Sequence, residues 1–248
     1  MNFTIVCPIH NEEKMLYLTI NSIYNIEPNE VIFQLDRCVD NSEKIINIKA
    51  KKHVAKTLIF KYDEHSGSDW NFRSAFLRRD AYKKASNDII LNTSADINLD
   101  FNIKEYIKLI PKKYSLISFG YLEHPWNIQQ FLRIIISESS PLHGFAGLLA
   151  ISKTAWLKTE DLEDLKKIHR GEDTHLHLAI KSKFPTTHIN TKSIHLRPNE
   201  TKKDHYYRGV AMWHQLRRSY FTAFLHSLIM LRPAVFTGYR HAREFSIK

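Results

Sequence analysis

The chain has 248 residues, 43% of them hydrophobic, and a formal net charge of +10. That length and apolar content suit one large domain or two small ones and exclude wholesale disorder. Seven glycines with no GxGxxG or GxxxxGK[ST] run exclude the glycine-fingerprint dinucleotide site and the P-loop, and two cysteines, Cys7 and Cys38, make neither a disulfide framework nor a zinc set. A Cys7–Cys38 bridge belongs only to an oxidising or hyperthermophilic setting.

The positive excess favours anionic partners such as nucleotide phosphates, acidic lipids or nucleic acid. Its basic residues alternate with acids and form no nucleic-acid-binding run, so no nucleic-acid partner is expected. No basic stretch precedes a long apolar one at the start, and no window approaches the ~18 apolar residues that span a bilayer. The expected location is the cytoplasm or the cytoplasmic face of a membrane.

From the N-terminus, strand-like and helix-like segments alternate. FTIVCPI is an apolar run that halts near Pro8. NEEKMLYLTINSIYN carries Leu16, Ile20 and Ile23 at helical spacing, with Asn11 placed as an N-cap. EVIFQLD is a second strand ending at Asp36, NSEKIINIKAKKH a helix and KTLIFKYD a third strand. FRSAFLRRDAYKKAS is a helix with Phe72, Ala75, Phe76 and Tyr82 on one side, and DIILNTSAD is a fourth strand. This alternation predicts an α/β fold with an open, mostly parallel sheet flanked by helices.

Ligands of such sheets bind beyond the carboxyl ends of the strands, which selects residues 8–12, 36–42, 63–68 and 94–96 as one rim. Further on, YSLISFGYL reads as a strand, NIQQFLRIIIS as a helix, HGFAGLLAIS as an apolar segment, EDTHLHLAIKS as a helix and TTHINTKSIHL as one strand or two. Residues 206–239 read as helical. The expected organisation is a catalytic domain over 1–203 and a C-terminal helical extension over 204–248.

Several rim residues have chemistry to offer. Asp36 ends a strand, where a carboxylate accepts hydrogen bonds from a base or ribose, although Asp36 and Asp40 read equally as turn and cap residues. Asp96 ends another strand and suits an oxygen-seeking divalent ion, and His195 adds a nitrogen that manganese accepts. Asp100 lies too far along to join them. Glu172-Asp173 opens a helix, whose dipole keeps a carboxylate ionised and ready to act as a base, but acids are favoured at helix starts in any case. Arg79 is placed to meet a diphosphate or a nearby acid, with Arg78 and Lys83 as surface charges.

In order and spacing these segments resemble the family 2 glycosyltransferases of the GT-A fold, over roughly residues 3 to 200. TIVCPIHNEEKMLYLTINSI resembles the family's first strand, Pro-x-x-Asn-Glu turn and first helix. Asp36 with Asp40 and Ser42 resembles its nucleotide-binding acidic turn, RRDAYKKASNDIILNTSAD its approach to the Asp-x-Asp metal motif, and GEDTHLHLAIKSKF…SIHLRP its Glu-Asp helix and metal-binding histidine.

The resemblance implies an inverting transfer of sugar from a nucleotide-diphosphate donor such as a UDP-sugar to a glycan, lipid-linked or protein acceptor. It assigns Pro8, His10, Asn11, Glu12, Asp36, Arg79 and Ser94 to the nucleotide sugar. Asp96 and His195 go to Mn2+ or Mg2+, Asp173 to the general base and Glu172 to its support. Ser94 departs from the family pattern by standing at the first Asp of Asp-x-Asp, and Asp80 by standing where Asn usually follows the arginine.

Ser94 is also the feature that favours an alternative, an inactive nucleotide-sugar-binding module. A basic nucleic-acid-binding protein is a more distant one. A nucleotidyltransferase would need a Gly-rich basic N-terminal loop that the sequence lacks. The apolar, aromatic stretch SYFTAFLHSLIMLRPAVFTGY, with arginines on both sides, suggests peripheral contact with a membrane or packing on the catalytic domain.

Overall fold

The computed structural model describes residues 1–62, 70–124, 147–159, 172–196, 206–207, 209–210, 212–213, 219–229 and 232–246. The predicted rim segment 63–68 and the predicted helix in 127–137 lie outside them.

Strands β1 (Phe3–Ile9), β2 (Glu30–Asp36), β3 (Lys56–Tyr62) and β4 (Ile89–Asn92) alternate with helices α1 (Glu13–Asn25), α2 (Ser42–Ala50) and α3 (Trp70–Lys84). They pair in parallel as β3-β2-β1-β4. β2 is buried along its whole length, as a central parallel strand covered on both faces must be. Side-chain alternation divides the core in two. Ile5, Cys7, Val31 and Phe33 face one layer with Leu16, Ile20 and Ile23 of α1, while Val6, Ile32 and Ile90 face the other with Ala81 and Tyr82 of α3.

The second half of the sheet is mixed. A two-residue strand β5 (Ile97–Asn98) and helix α4 (Ile103–Ile107) precede β6 (Leu116–Glu123), β7 (Leu149–Ser152), α5 (Lys153–Leu157), α6 (Glu172–Lys181) and β8 (Thr186–His195). The full order is β3-β2-β1-β4-β7-β6-β8-β5. β7 runs antiparallel to both β4 and β6, and β8 runs parallel to β6. Two reversals restore direction, so the carboxyl ends of β6 and β8 lie on the same edge as those of β1, β2 and β4. This topology carries His195 to the rim that holds Asp36 and Asp96.

The C-terminal helices α7 (Tyr220–Ile229) and α8 (Pro233–Ser246) have a core of their own, with Met212, Ala223, Val235 and Tyr239 packed together. Two glycines permit the approach of the preceding chain. A Cβ on Gly209 would fall 1.8 Å from the Val235 carbonyl oxygen, and one on Gly238 would fall 2.0 Å from that of Tyr206. No helix among the described residues is long and apolar enough to cross a membrane.

Candidate active site

The loops after β1 and β2 are stitched to each other. Asn11 Oδ1 accepts from the Val39 amide at 2.8 Å, Asp40 Oδ2 from the Glu13 amide at 2.9 Å and Ser42 Oγ from the Glu12 amide at 3.2 Å. His10 Nδ1 lies 2.6 Å from the Asp36 carbonyl oxygen, and Pro8 pairs with Gln34 in the sheet. Asn11 and Arg37 both take left-handed backbone conformations, with φ of 52° and 48°.

Asn11 is therefore not the α1 N-cap expected from the sequence. The cap position is Glu12, without a side-chain cap bond, because the Asn11 amide is turned to the neighbouring loop instead. Burial disfavours the Asp40 carboxylate, but the hydrogen bonds from Ser42 and the Glu13 and Ser42 amides outweigh it and hold the group below the ordinary aspartate value.

Asp36 is fully buried at the end of β2. Arg73, itself buried on α3, donates through Nε to Asp36 Oδ1 and through Nη2 to the Tyr62 carbonyl at 3.0 Å. Arg37 donates to the same carboxylate through Nε at 3.2 Å and Nη2 at 3.3 Å. Both arginines were missed in the sequence. A signal for Arg73 was present: it shares a helical stripe with buried Leu77 and Ala81, and a cation on a core stripe requires a buried partner.

Across the rim, Asp96 and His195 meet although 99 residues separate them, with His195 Nε2 3.1 Å from Asp96 Oδ2. The backbone sets this contact. Ile97 pairs with His195 in the antiparallel β5–β8 ladder, and the Leu196 amide donates to the Asp96 carbonyl at 2.8 Å. Tyr121, from β6, lies with its ring 5.3 Å from that of His195. His195 Nδ1 is buried and has no hydrogen-bond partner among the described residues.

This pair fits a small divalent ion. A carboxylate oxygen and an imidazole nitrogen, hydrogen-bonded at 3.1 Å, are donor types that Mn2+ or Mg2+ would accept, and Asp96 and His195 would hold it. Among the described residues no group of three or more His, Cys, Asp or Glu side chains converges, so substrate oxygens and water would complete the shell.

The remaining candidates border this centre. Burial pushes the Cys7 thiol far above its ordinary value, the Asp96 and Glu12 carboxylates push it further and the Arg78 guanidinium opposes them. Ser94 and Arg78 flank Gly147, whose Cβ would lie 3.4 Å from Ser94 Oγ and 3.5 Å from Arg78 Nη2. Asn92 Nδ2 donates to the Gly147 carbonyl at 2.9 Å.

Arg78 and Arg79 line a small cavity with Tyr82, Asn92, Leu149 and Leu176, so Arg78 belongs to the rim rather than to the solvated face expected for it. Leu176 lies on α6, one turn beyond the acidic pair. The α6 backbone at Glu172 and Asp173 is helical, as expected, but their side chains lie outside the described residues. Asp80 and Asp100 are elsewhere. Asp80 accepts from Tyr62 and from Lys84, and Asp100 accepts from the Asn102 and Lys192 amides at 3.0 Å.

No protein-family model and no curated protein matches the chain. Solved structures do. Staphylococcus aureus TarS, residues 1–349, superposes with a TM-score of 0.60 at 14% identity over 86% of this chain and 65% of that one. The same protein in complex with UDP-GlcNAc gives 0.60 at 12% identity over 88% and 68%. Glucosyl-3-phosphoglycerate synthase from Mycobacterium tuberculosis, in complex with Mn2+, UDP-glucose and phosphoglyceric acid, gives 0.54 at 15% identity over 80% and 72%. The chain thus spans about two thirds of the first TarS structure, and 40% of a longer one. The fold it shares with these glycosyltransferases is the GT-A arrangement that the sequence resembles.

Proposed function

We propose that the chain transfers a sugar from a nucleotide-diphosphate donor, such as a UDP-sugar, to an acceptor hydroxyl by an inverting displacement. The observation that carries this reading is the contact between Asp96 and His195 on the same sheet edge as the Asp36–Arg73 ion pair. The fold supports it, since structural neighbours contain UDP-GlcNAc and, in the synthase, Mn2+ with UDP-glucose.

Asp36, buried and fixed by Arg73 and Arg37, shapes the end of β2 against which the nucleoside lies, beside Pro8, His10, Asn11 and Glu12. Arg79 and Ser94 border the diphosphate. Asp96 and His195 would hold Mn2+ or Mg2+, which when bound offsets the charge that develops on the leaving diphosphate. Asp173 takes the proton of the acceptor hydroxyl. The acceptor oxygen forms its bond to the anomeric carbon as the bond to the diphosphate oxygen breaks, and the nucleoside diphosphate departs with the electron pair. Position in the first turn of α6 keeps Asp173 ionised for this role, and Glu172 orients it. The catalytic unit is residues 1–203, acting in the cytoplasm on a glycan, lipid-linked or protein acceptor.

Ser94 favours a second reading, a module that binds nucleotide sugars without transferring them, because a hydroxyl stands where the resemblance has a metal-ligating carboxylate. One experiment separates the two. The protein is incubated with UDP-, GDP- and dTDP-sugars, with and without Mn2+, and both donor binding and nucleotide release are measured. Metal-dependent release supports the enzyme, binding without release supports the module, and neither overturns both.

A further inference from the structure

The C-terminal helices present a surface that sugar transfer does not use. On α7, Ala223 and Ser227 are buried against the rest of the extension. The opposite side exposes Phe221 at 69%, Phe224 at 44%, Leu225 at 39% and Leu228 at 59%. Their spacing of i, i+3, i+4 and i+7 makes one continuous apolar stripe on a ten-residue helix. A single exposed apolar side chain is ordinary, but a stripe of four on one helix face marks a contact surface.

The charge of the surrounding sequence says what covers it. From Asp204 to Glu244 there is no acidic residue between the ends, no lysine and six arginines: Arg208, Arg217, Arg218, Arg232, Arg240 and Arg243. Arg240 and Arg243 are exposed on α8, and the Arg243 guanidinium lies over the Tyr220 ring, 5.4 Å from its centre. Exposed Tyr207 and Tyr220 add aromatic rings with polar tips. Aromatic side chains, arginines and an apolar helix stripe together suit the boundary between acyl chains and anionic headgroups. No described helix can span the bilayer, so the contact is interfacial.

We propose that α7 and α8 dock this protein on an anionic lipid surface, with Phe221, Phe224, Leu225 and Leu228 entering the acyl boundary and exposed Arg240 and Arg243 meeting the headgroups. The docking stands independently of sugar transfer. Each arginine brought to such a surface strengthens binding by about fivefold, and the effect weakens as salt rises.

The test is co-sedimentation of the full chain with vesicles of phosphatidylcholine alone or mixed with phosphatidylglycerol. Binding is expected to the mixed vesicles only and to fall with salt. Phe224→Ser, Leu225→Ser and Leu228→Ser combined should weaken it about tenfold or more, while Leu18→Ser and Val39→Ser, exposed apolar sites outside the extension, should leave it unchanged. Unchanged thermal unfolding establishes that the triple variant is folded. Should it not fold, Arg240→Glu with Arg243→Glu takes its place, with weaker binding to mixed vesicles expected. Failure of the protein to bind mixed vesicles, or binding that the substitutions leave intact, overturns the proposal. A dimer in solution that the triple variant breaks also overturns it, because the stripe then joins two copies of the chain.

Discussion

The two sides of the rim use their polar residues differently. On the β1–β2 side, Asn11, Glu13, Asp40 and Ser42 are engaged in holding one loop against the other, and Asp36 is clamped by two arginines. On the β4–β8 side, the Asp96 and His195 side chains meet each other, and backbone pairing sets their approach. The first side is a cradle whose two loops are tied to each other by side-chain hydrogen bonds. The second brings a carboxylate from the turn before β5 to an imidazole at the end of β8. Metal-independent donor binding is thus expected to depend on the first, and metal-dependent binding and chemistry on the second, together with α6.

The largest effect that would sharpen this contrast is at α6. Asp173→Asn should lower sugar transfer by about a thousandfold while donor binding, followed by thermal shift, stays near that of the unaltered protein. Transfer at the original rate would remove Asp173 from the reaction.

On the cradle side, Arg73→Met leaves a buried carboxylate without its main partner. It should cost about 3 kcal/mol of stability and weaken nucleotide binding, both measurable by denaturant titration with and without the donor. If stability and binding were unchanged, the clamp would not be what shapes Asp36. Gly238→Ala, which forces a Cβ onto the Tyr206 carbonyl, should cost about 2 kcal/mol and leave donor binding alone. Asn11→Ala removes the bond to the Val39 amide and puts alanine at φ 52°, for a loss of about 1 kcal/mol.

Acid should act on the cradle more gently. Asp40, and likewise Glu30 and Asp88 at the amino ends of β2 and β4, are held below their ordinary carboxylate values, in each case because hydrogen bonds to the ionised form outweigh burial. Such groups stabilise the fold fully above the unfolded carboxylate range of about pH 4, and the contribution disappears as pH falls through their lower folded values. Asp40→Asn should therefore flatten part of the acid limb of a melting-temperature profile. A limb of unchanged slope would show that Asp40 does not tie the loops.

Much of the first half was legible because each parallel strand is a short apolar run and each helix has its own periodicity. β2 coincides with EVIFQLD, and Leu16, Ile20 and Ile23 are buried as their spacing requires. The short elements β5, α4 and α5 were not read, since two to five residues cannot display a period. Nor was the antiparallel β7, whose direction depends on tertiary pairing rather than on its four apolar residues.

Asp96 and His195 were legible as residues of ligating type, but β4 ends at Asn92 and leaves Asp96 in the turn before β5 rather than at a strand end. Its proximity to His195 follows from the two sheet reversals, which no local pattern encodes. Arg73 was passed over because its partner is distant in sequence, and Asn11 was misassigned because a cap and a loop tie call for the same side chain. The C-terminal stripe was read as apolar and aromatic. Only the packed helices distinguish its buried Ala223 and Ser227 from its exposed Phe221 and Leu228.

The pairing of Asp96 with His195 as a metal-binding site is tested most directly by titrating a UDP-sugar into the protein by calorimetry, with and without Mn2+, and repeating this for Asp96→Asn and His195→Ala. The account predicts donor binding that Mn2+ strengthens in the unaltered protein, and loss of that metal dependence in both variants, accompanied by about a hundredfold drop in transfer. Equal strengthening by Mn2+ in the variants and the unaltered protein would contradict it.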